Sequence, residues 1–180
     1  MLTDEQIMLR VGSGEIHLMS EIFRRYNVLI FNFYLKSTSD RALSSDLTQN
    51  LFEKLIKYKS SFKPDYTFKS WIYRIATNIE HDHFRKEKSH KNRNEKYFDT
   101  TETQIDPNLC LEKKENNSLL HLAIQRLPQD QRDVIWMTRF EKMKYADVAL
   151  ALNVTESAIK VKVHRAIKRL RTEYLQLEKS

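Results

Sequence analysis

Residues 144–170, KYADVALALNVTESAIKVKVHRAIKRL, decide the fold class of this chain. Tyr145, Val148, Ala149 and Leu152 recur at helical spacing, which gives a first helix one apolar face. The pattern breaks at Asn153, a residue that tolerates the left-handed backbone needed to close a helix. Thr155 then stands as a helix N-cap, with Glu156 placing negative charge in the first turn. On a helical wheel Ile159, Val163, Ala166, Ile167 and Leu170 share one side, while Ser157, Lys160, Val161 and His164 lie opposite, with Arg165 beside them. The spacing predicts a helix-turn-helix whose second helix packs by one face and presents the other.

That second helix carries Lys160, Lys162, Arg165, Lys168, Arg169 and Arg171, with no acid between Ser157 and Thr172. A merely solvated helix usually mixes signs to gain ion pairs at four-residue spacing. An unmixed basic face suits phosphate contact and base reading in a major groove. A solvated basic helix is the bland alternative.

Composition sets the frame around this motif. The 180 residues include two Gly and three Pro, too little turn punctuation for sheets or sandwiches, so the chain is read as all-α. Hydrophobic residues make up 41%, enough for a folded protein. The net charge of +7 favours a polyanionic partner, which charge alone does not narrow to RNA, DNA or membrane. The single Cys110 excludes an internal disulfide. No apolar run approaches the roughly 18 residues of a membrane span, and the start MLTDEQIMLR is unlike a signal peptide, so a cytoplasmic protein without membrane insertion is expected.

Along the chain, Thr3 with Asp4, Glu5 and Gln6 marks a capped helix start, and Gly12-Ser13-Gly14 an early turn. A helix over about 15–35 follows, with a wide apolar stripe of Leu18, Ile22, Phe23, Tyr26, Leu29, Ile30, Phe33 and Tyr34. Residues 46–58 divide sharply: Leu47, Leu51, Phe52 and Leu55 take one side, and Asp46, Gln49, Asn50, Glu53 and Lys54 the other. Lys63-Pro64-Asp65 signals a turn, and Tyr66-Thr67-Phe68 continue a loop before a helix from about Lys69. In that helix Trp71, Ile72, Ile75, Ile79 and Phe84 are assigned to the inner side, while Lys69, Arg74, Asn78, Arg85 and Lys86 leave a polar, mostly basic side. Aromatic and basic residues at a loop are the means by which proteins stack unpaired bases. The polar run over about 87–117 is read as a linker, since a loop so long is foreign to one compact domain. Helical pattern resumes with Leu119, Leu120, Ala123, Ile124 and Leu127, and Pro128 starts a helix carrying Val134, Ile135, Met137 and Phe140.

No chemistry-bearing constellation emerges. His81, Asp82 and His83 are neighbours on a helix and point about 100° apart, so they cannot chelate one ion together. There is no nucleophile set and no phosphate-cradling glycine loop. No metal, no cofactor and no catalytic residue is expected, and the chain is not read as an enzyme.

Three segments in order, DLTQNLFEKL, FKPDYTFKSWIYRIATNIEHDHFRKEK and LPQDQRDVIWMTRFEKMKYADVALALNVTESAIKVKVHRAIKRL, resemble the sigma-70 family. Within it the chain is similar to the two-domain extracytoplasmic-function (ECF) sigma factors. The resemblance implies two small helical domains: residues 1–90, a bundle for polymerase docking and −10 recognition, and 117–180, a helix-turn-helix domain for the −35 element, joined by a flexible linker over 91–116. It implies bacterial core RNA polymerase, through its clamp helices and flap, and promoter DNA as partners, with an anti-sigma factor as a further candidate. Asp46, Gln49, Asn50 and Glu53 match the polymerase-docking segment, with Asn50 where the family commonly has an acid. Tyr66, Phe68, Lys69, Trp71, Arg74, Asn78 and Arg85 fall in the segment that captures the melted −10 strand, Asn78 matching a flipped-base contact, with Thr77 in place of a usual basic residue. Ser157, Lys160, Val161, Lys162, His164, Arg165 and Lys168 belong to the −35 reading helix. The alternative is a dimeric helix-turn-helix regulator that binds duplex DNA without polymerase.

Overall fold

The structure, a computed structural model, describes residues 2–93 and 116–179. Every regular element among these residues is helical, as expected from the scarcity of turn residues. The helices form two compact units that divide between Ile105 and Asp106.

The N-terminal unit begins with α1, Asp4–Gly12, closed by a capping box in which Thr3 accepts from the Gln6 amide and the Gln6 side chain accepts from the Thr3 amide. The glycine turn follows as expected. Gly12 allows a close approach there: a Cβ would lie 3.2 Å from the Lys59 carbonyl of the short 3-10 turn Lys59–Ser61, so a side chain would push that turn away by a few tenths of an ångström. The next helix, α2, runs over Met19–Thr38 and ends on Ser39 in the left-handed conformation. Asp40 then caps α3, Arg41–Lys57, by accepting from the Leu43 amide at 2.9 Å. This start lies five residues before the predicted Asp46, because the cap sits ahead of the apolar periodicity. The two-residue connection makes α2 and α3 an αα-hairpin. The long α4, Phe68–Arg93, packs on α3 and α1.

Ile22, Ile30, Phe33, Tyr34, Leu51, Leu55, Ile72 and Tyr73 form the centre of this unit, each essentially without solvent contact. Burying one such side chain is worth about 1.5–3 kcal/mol. Phe33 meets Tyr73 edge-on at 5.3 Å, and the Tyr34 hydroxyl donates to the Ala76 carbonyl at 3.1 Å. The apolar stripe of α2 is narrower than its sequence suggests. Phe23 and Leu29 are 49% and 42% exposed, because a stripe wider than one contact needs a second neighbour that the bundle does not supply.

The C-terminal unit comprises α5, Asn116–Gln125; α6, Gln129–Ile135; α7, Tyr145–Leu152; and α8, Glu156–Glu178. Pro128 precedes α6 as predicted, and Arg132 from α6 donates back to the carbonyls of Gln125 and Leu127. The helix containing Val134 does not continue regularly: Trp136–Phe140 form a π turn, with the Glu141 amide donating to the Trp136 carbonyl at 2.9 Å. Phe140, at the end of this turn, is 40% exposed, with its ring 4.2 Å from that of the buried Trp136. All of α5, α6 and α7 pack on α8, which buries Ile159, Val163 and Ala166 at the centre.

Candidate nucleic-acid and polymerase interfaces

The turn between α7 and α8 is built as its sequence suggests. Asn153 adopts φ 55° and ψ 47°, and the amides of Asn153 and Val154 donate to the carbonyls of Leu150 and Ala149, a Schellman closure. Thr155 then accepts from the Ala158 amide at 3.2 Å and fixes the start of α8. The face so presented carries Ser157, Lys160, Val161, His164, Arg165 and Lys168, all exposed. Lys160 reaches Glu156 at 3.0 Å, a solvent-exposed pair that a stronger anion can displace. Lys162 is placed differently from the others. It is half-buried and its ammonium lies 3.4 Å from Asp130 at the start of α6, so in this structure it ties two helices together. Ile167, assigned by the wheel to the packed side, is 42% exposed.

In the N-terminal unit, Arg74, Asn78 and Arg85 fall at spacings of four and seven along α4, so they share one line. Asn78 and Arg85 are exposed and Arg74 half-buried. Arg85 pairs with Asp82 at 2.8 Å on this surface. The buried Thr77 beside them bonds back to the Tyr73 carbonyl, so that position faces the core, not the line. Lys69 lies over the Tyr73 ring at 5.9 Å and Tyr66 is half-buried. Phe68 is not available as a stacking platform. It is helical, wholly buried, and packed edge-on against Tyr26 at 5.0 Å and near Phe62 at 6.0 Å. Trp71, 8% exposed against Phe62 at 5.3 Å, likewise supports the surface from beneath. What faces outward is the loop 63–67 and the line on α4.

On α3, Asp46, Gln49, Asn50 and Glu53 are all exposed, with Gln49 donating to Glu53 at 3.1 Å. Beside them a groove of about 560 Å³ opens between α2 and α3, where Phe23, Val28, Phe52 and Ile56 meet Gln49 and Glu53. Val28 is 62% exposed there, and Phe23 rests on Phe52 at 4.8 Å. Sequence reasoning reached the polar rim and missed this apolar floor. The signal was present in the excess width of the α2 stripe, since an apolar residue beyond the core arc is a candidate for a partner.

Among the described residues no three His, Cys, Asp or Glu side chains converge as a metal site. Asp82 and His83 turn to Arg85 and Glu87 respectively. No described helix is long and apolar enough to cross a membrane. Cys110 and most of the expected linker lie outside the described residues.

Comparison with known families matches residues 22–90 to sigma-70 region 2 and residues 118–170 to sigma-70 region 4. The chain belongs to the sigma-70 family. Curated relatives place it in the ECF branch. It is 24% identical to the RNA polymerase sigma-H factor of Pseudomonas aeruginosa over 91% of this chain and 89% of that one. It is 25% identical to the ECF RNA polymerase sigma factor SigX of Bacillus subtilis over 83% of this chain and 80% of the relative. Among solved structures, the sigma factor RpoE of Bartonella quintana, in complex with the anti-sigma factor NepR, shares the fold with a TM-score of 0.74 at 22% identity, over 87% of this chain and 96% of that one. CnrH, in complex with the cytosolic domain of CnrY, gives 0.69 at 18%, over 94% and 95%. In family terms, region 2 holds α3 and nearly all of α2 and α4, and α8 begins inside region 4. The helix α1 lies before the region 2 match.

Proposed function

We infer that this chain is an ECF-type RNA polymerase sigma factor that directs the core enzyme to specific promoters and stabilises their opening. The observation that carries this is the presence of both sigma-70 regions, in order, on one chain. A stand-alone regulator needs the helix-turn-helix and has no use for region 2. Neither proposed step calls for a catalytic residue, so the chemistry belongs to the polymerase, and the cytoplasm is the proposed site of action.

The roles then follow from geometry and charge. Ser157, Lys160, Val161, His164, Arg165 and Lys168 form the −35 surface, where phosphate neutralisation supplies most of the affinity and base edges the choice. Lys162 contributes once its pairing with Asp130 yields to phosphate. Residues 63–67 with Lys69, Arg74, Asn78 and Arg85 form the −10 surface, which favours the open promoter by binding a strand that has left the stack. Tyr66 offers the ring for stacking in that loop, and Phe68 and Trp71 hold the loop in place from the core. Asp46, Gln49, Asn50 and Glu53, with the groove floor of Phe23, Val28 and Ile56, form the docking face for the clamp helices of the polymerase. The flap is proposed as the partner of the C-terminal unit. An anti-sigma factor is a further proposed partner, as the sigma factor RpoE of similar fold is solved in complex with one, NepR.

The test is transcription in vitro on a genomic template with bacterial core polymerase. The chain and core together should start RNA at discrete sites, and neither should do so alone. Asp46→Arg with Asn50→Arg should lower affinity for core by at least about tenfold while leaving the isolated chain folded, since one reversed charge and one added positive charge change the sign of one face. Unchanged initiation by that variant would refute the docking assignment.

A further inference from the structure

The start of α4 is held by a residue 63 positions away. The Phe68 amide, the first of the helix, donates to Glu5 Oε1 at 2.9 Å. The early amides of a helix have no partner within it, and a carboxylate there satisfies one of them and opposes the positive end of the helix dipole. The turn that carries Glu5 is fastened to α2. The neighbouring Asp4 accepts from Arg25 and from the Tyr26 hydroxyl on α2, and the Tyr26 ring packs edge-on against Phe68. Around the turn, Thr67 accepts from the Ser70 amide, so side chains of α1 and of the loop fix the same point from two directions. Immediately before that point lies the loop 63–67, whose other end is anchored by the buried Phe62.

We propose that Glu5 is a positioning residue for capture of the melted promoter strand: from α1, outside the matched region 2, it fixes where the loop 63–67 and the first turn of α4 stand. This rests on the −10 assignment made above. Without the carboxylate, the Phe68 amide at a partly buried site must find water or fray, and the loop samples arrangements that do not fit the strand. Strand affinity then falls by the fraction of molecules still in the competent arrangement. The residue acts through the pose of the loop and not by touching DNA.

The experiment uses holoenzyme, the full chain with core polymerase, and a promoter fragment built on a start site mapped in vitro. One form carries the non-template strand across the −10 element, and the other lacks it. The ratio of the two affinities reports the strand contribution and is insensitive to the fraction of active protein, so general destabilisation does not move it. Glu5→Ala should lower the ratio about tenfold, and Glu5→Gln, which keeps an acceptor oxygen at the same reach, should stay within about threefold of the native chain. An unchanged ratio for Glu5→Ala, or a Glu5→Gln ratio as low as that of Glu5→Ala, overturns the proposal. A native ratio near one overturns the strand-capture reading and this inference with it.

Discussion

Two tyrosine hydroxyls of the N-terminal unit are held protonated well above their usual range. Burial is the main cause for both. At Tyr26 the hydrogen bond to Asp4 adds to it, and at Tyr34 the negative charge of the buried Glu80 does. The sign of the linkage follows. An unfolded tyrosine ionises near pH 10, whereas these two keep their protons, so the folded state binds more protons and stability is fully present below about pH 10 and lost above it. For Tyr34 the slope approaches about 1.4 kcal/mol per pH unit. Urea unfolding between about pH 9 and 11.5 should show this decline, and Tyr34→Phe should flatten it while costing about 1 kcal/mol at neutral pH through the lost bond to the Ala76 carbonyl. An identical alkaline slope in that variant would mean that other groups carry it. The same residues mark a limit of sequence reading. Tyr26 and Tyr34 are recognisable as core from their spacing, but their polar partners on α1 and α4 are set by packing.

Among the elements, α8 was the most legible and the loop before α4 the least, for one physical reason. Asn153, Thr155 and the apolar series Ile159, Val163 and Ala166 act on their own helix or its immediate neighbour, so local rules suffice. Phe68 reads as a loop aromatic because nothing near it in sequence reveals that Glu5 and Tyr26 draw it into the core as the first residue of a helix. The exposure of Phe23, Leu29 and Ile167 is likewise not settled by spacing, since a wheel gives the direction of a side chain and not whether a neighbour stands there. The local character of α8 makes its cap testable. Thr155→Ala removes the acceptor for the Ala158 amide and should destabilise the C-terminal unit by about 1 kcal/mol. The two tryptophans lie one in each unit, so denaturant unfolding followed through the buried Trp136 in a Trp71→Phe background reports this unit alone. A midpoint shared with the parent would show that the cap hydrogen bond contributes nothing measurable.

At the scale of the whole molecule, two units with separate cores share one chain, and the proposed function asks each to bind a different form of DNA. In that proposal the C-terminal unit takes duplex by charge and base edges, and the N-terminal unit takes a strand that becomes available only on opening. Their connection matters because a tether turns the second binding event into an intramolecular one, at an effective concentration set by the length and stiffness of the connection. Residues 1–93 and 116–180 supplied as separate chains at micromolar concentration should lose that advantage. Run-off transcription with core polymerase from matched promoters, one with its −35 element intact and one scrambled, measures it directly. For the single chain the intact promoter should be preferred strongly. For the mixed pieces the preference should fall toward one, while initiation on a pre-melted template, which needs only docking and strand capture, should persist. If the mixed pieces keep the full preference, the polymerase itself must hold the C-terminal unit in place, and the covalent link would then serve delivery of the two units together and not the reading of the promoter.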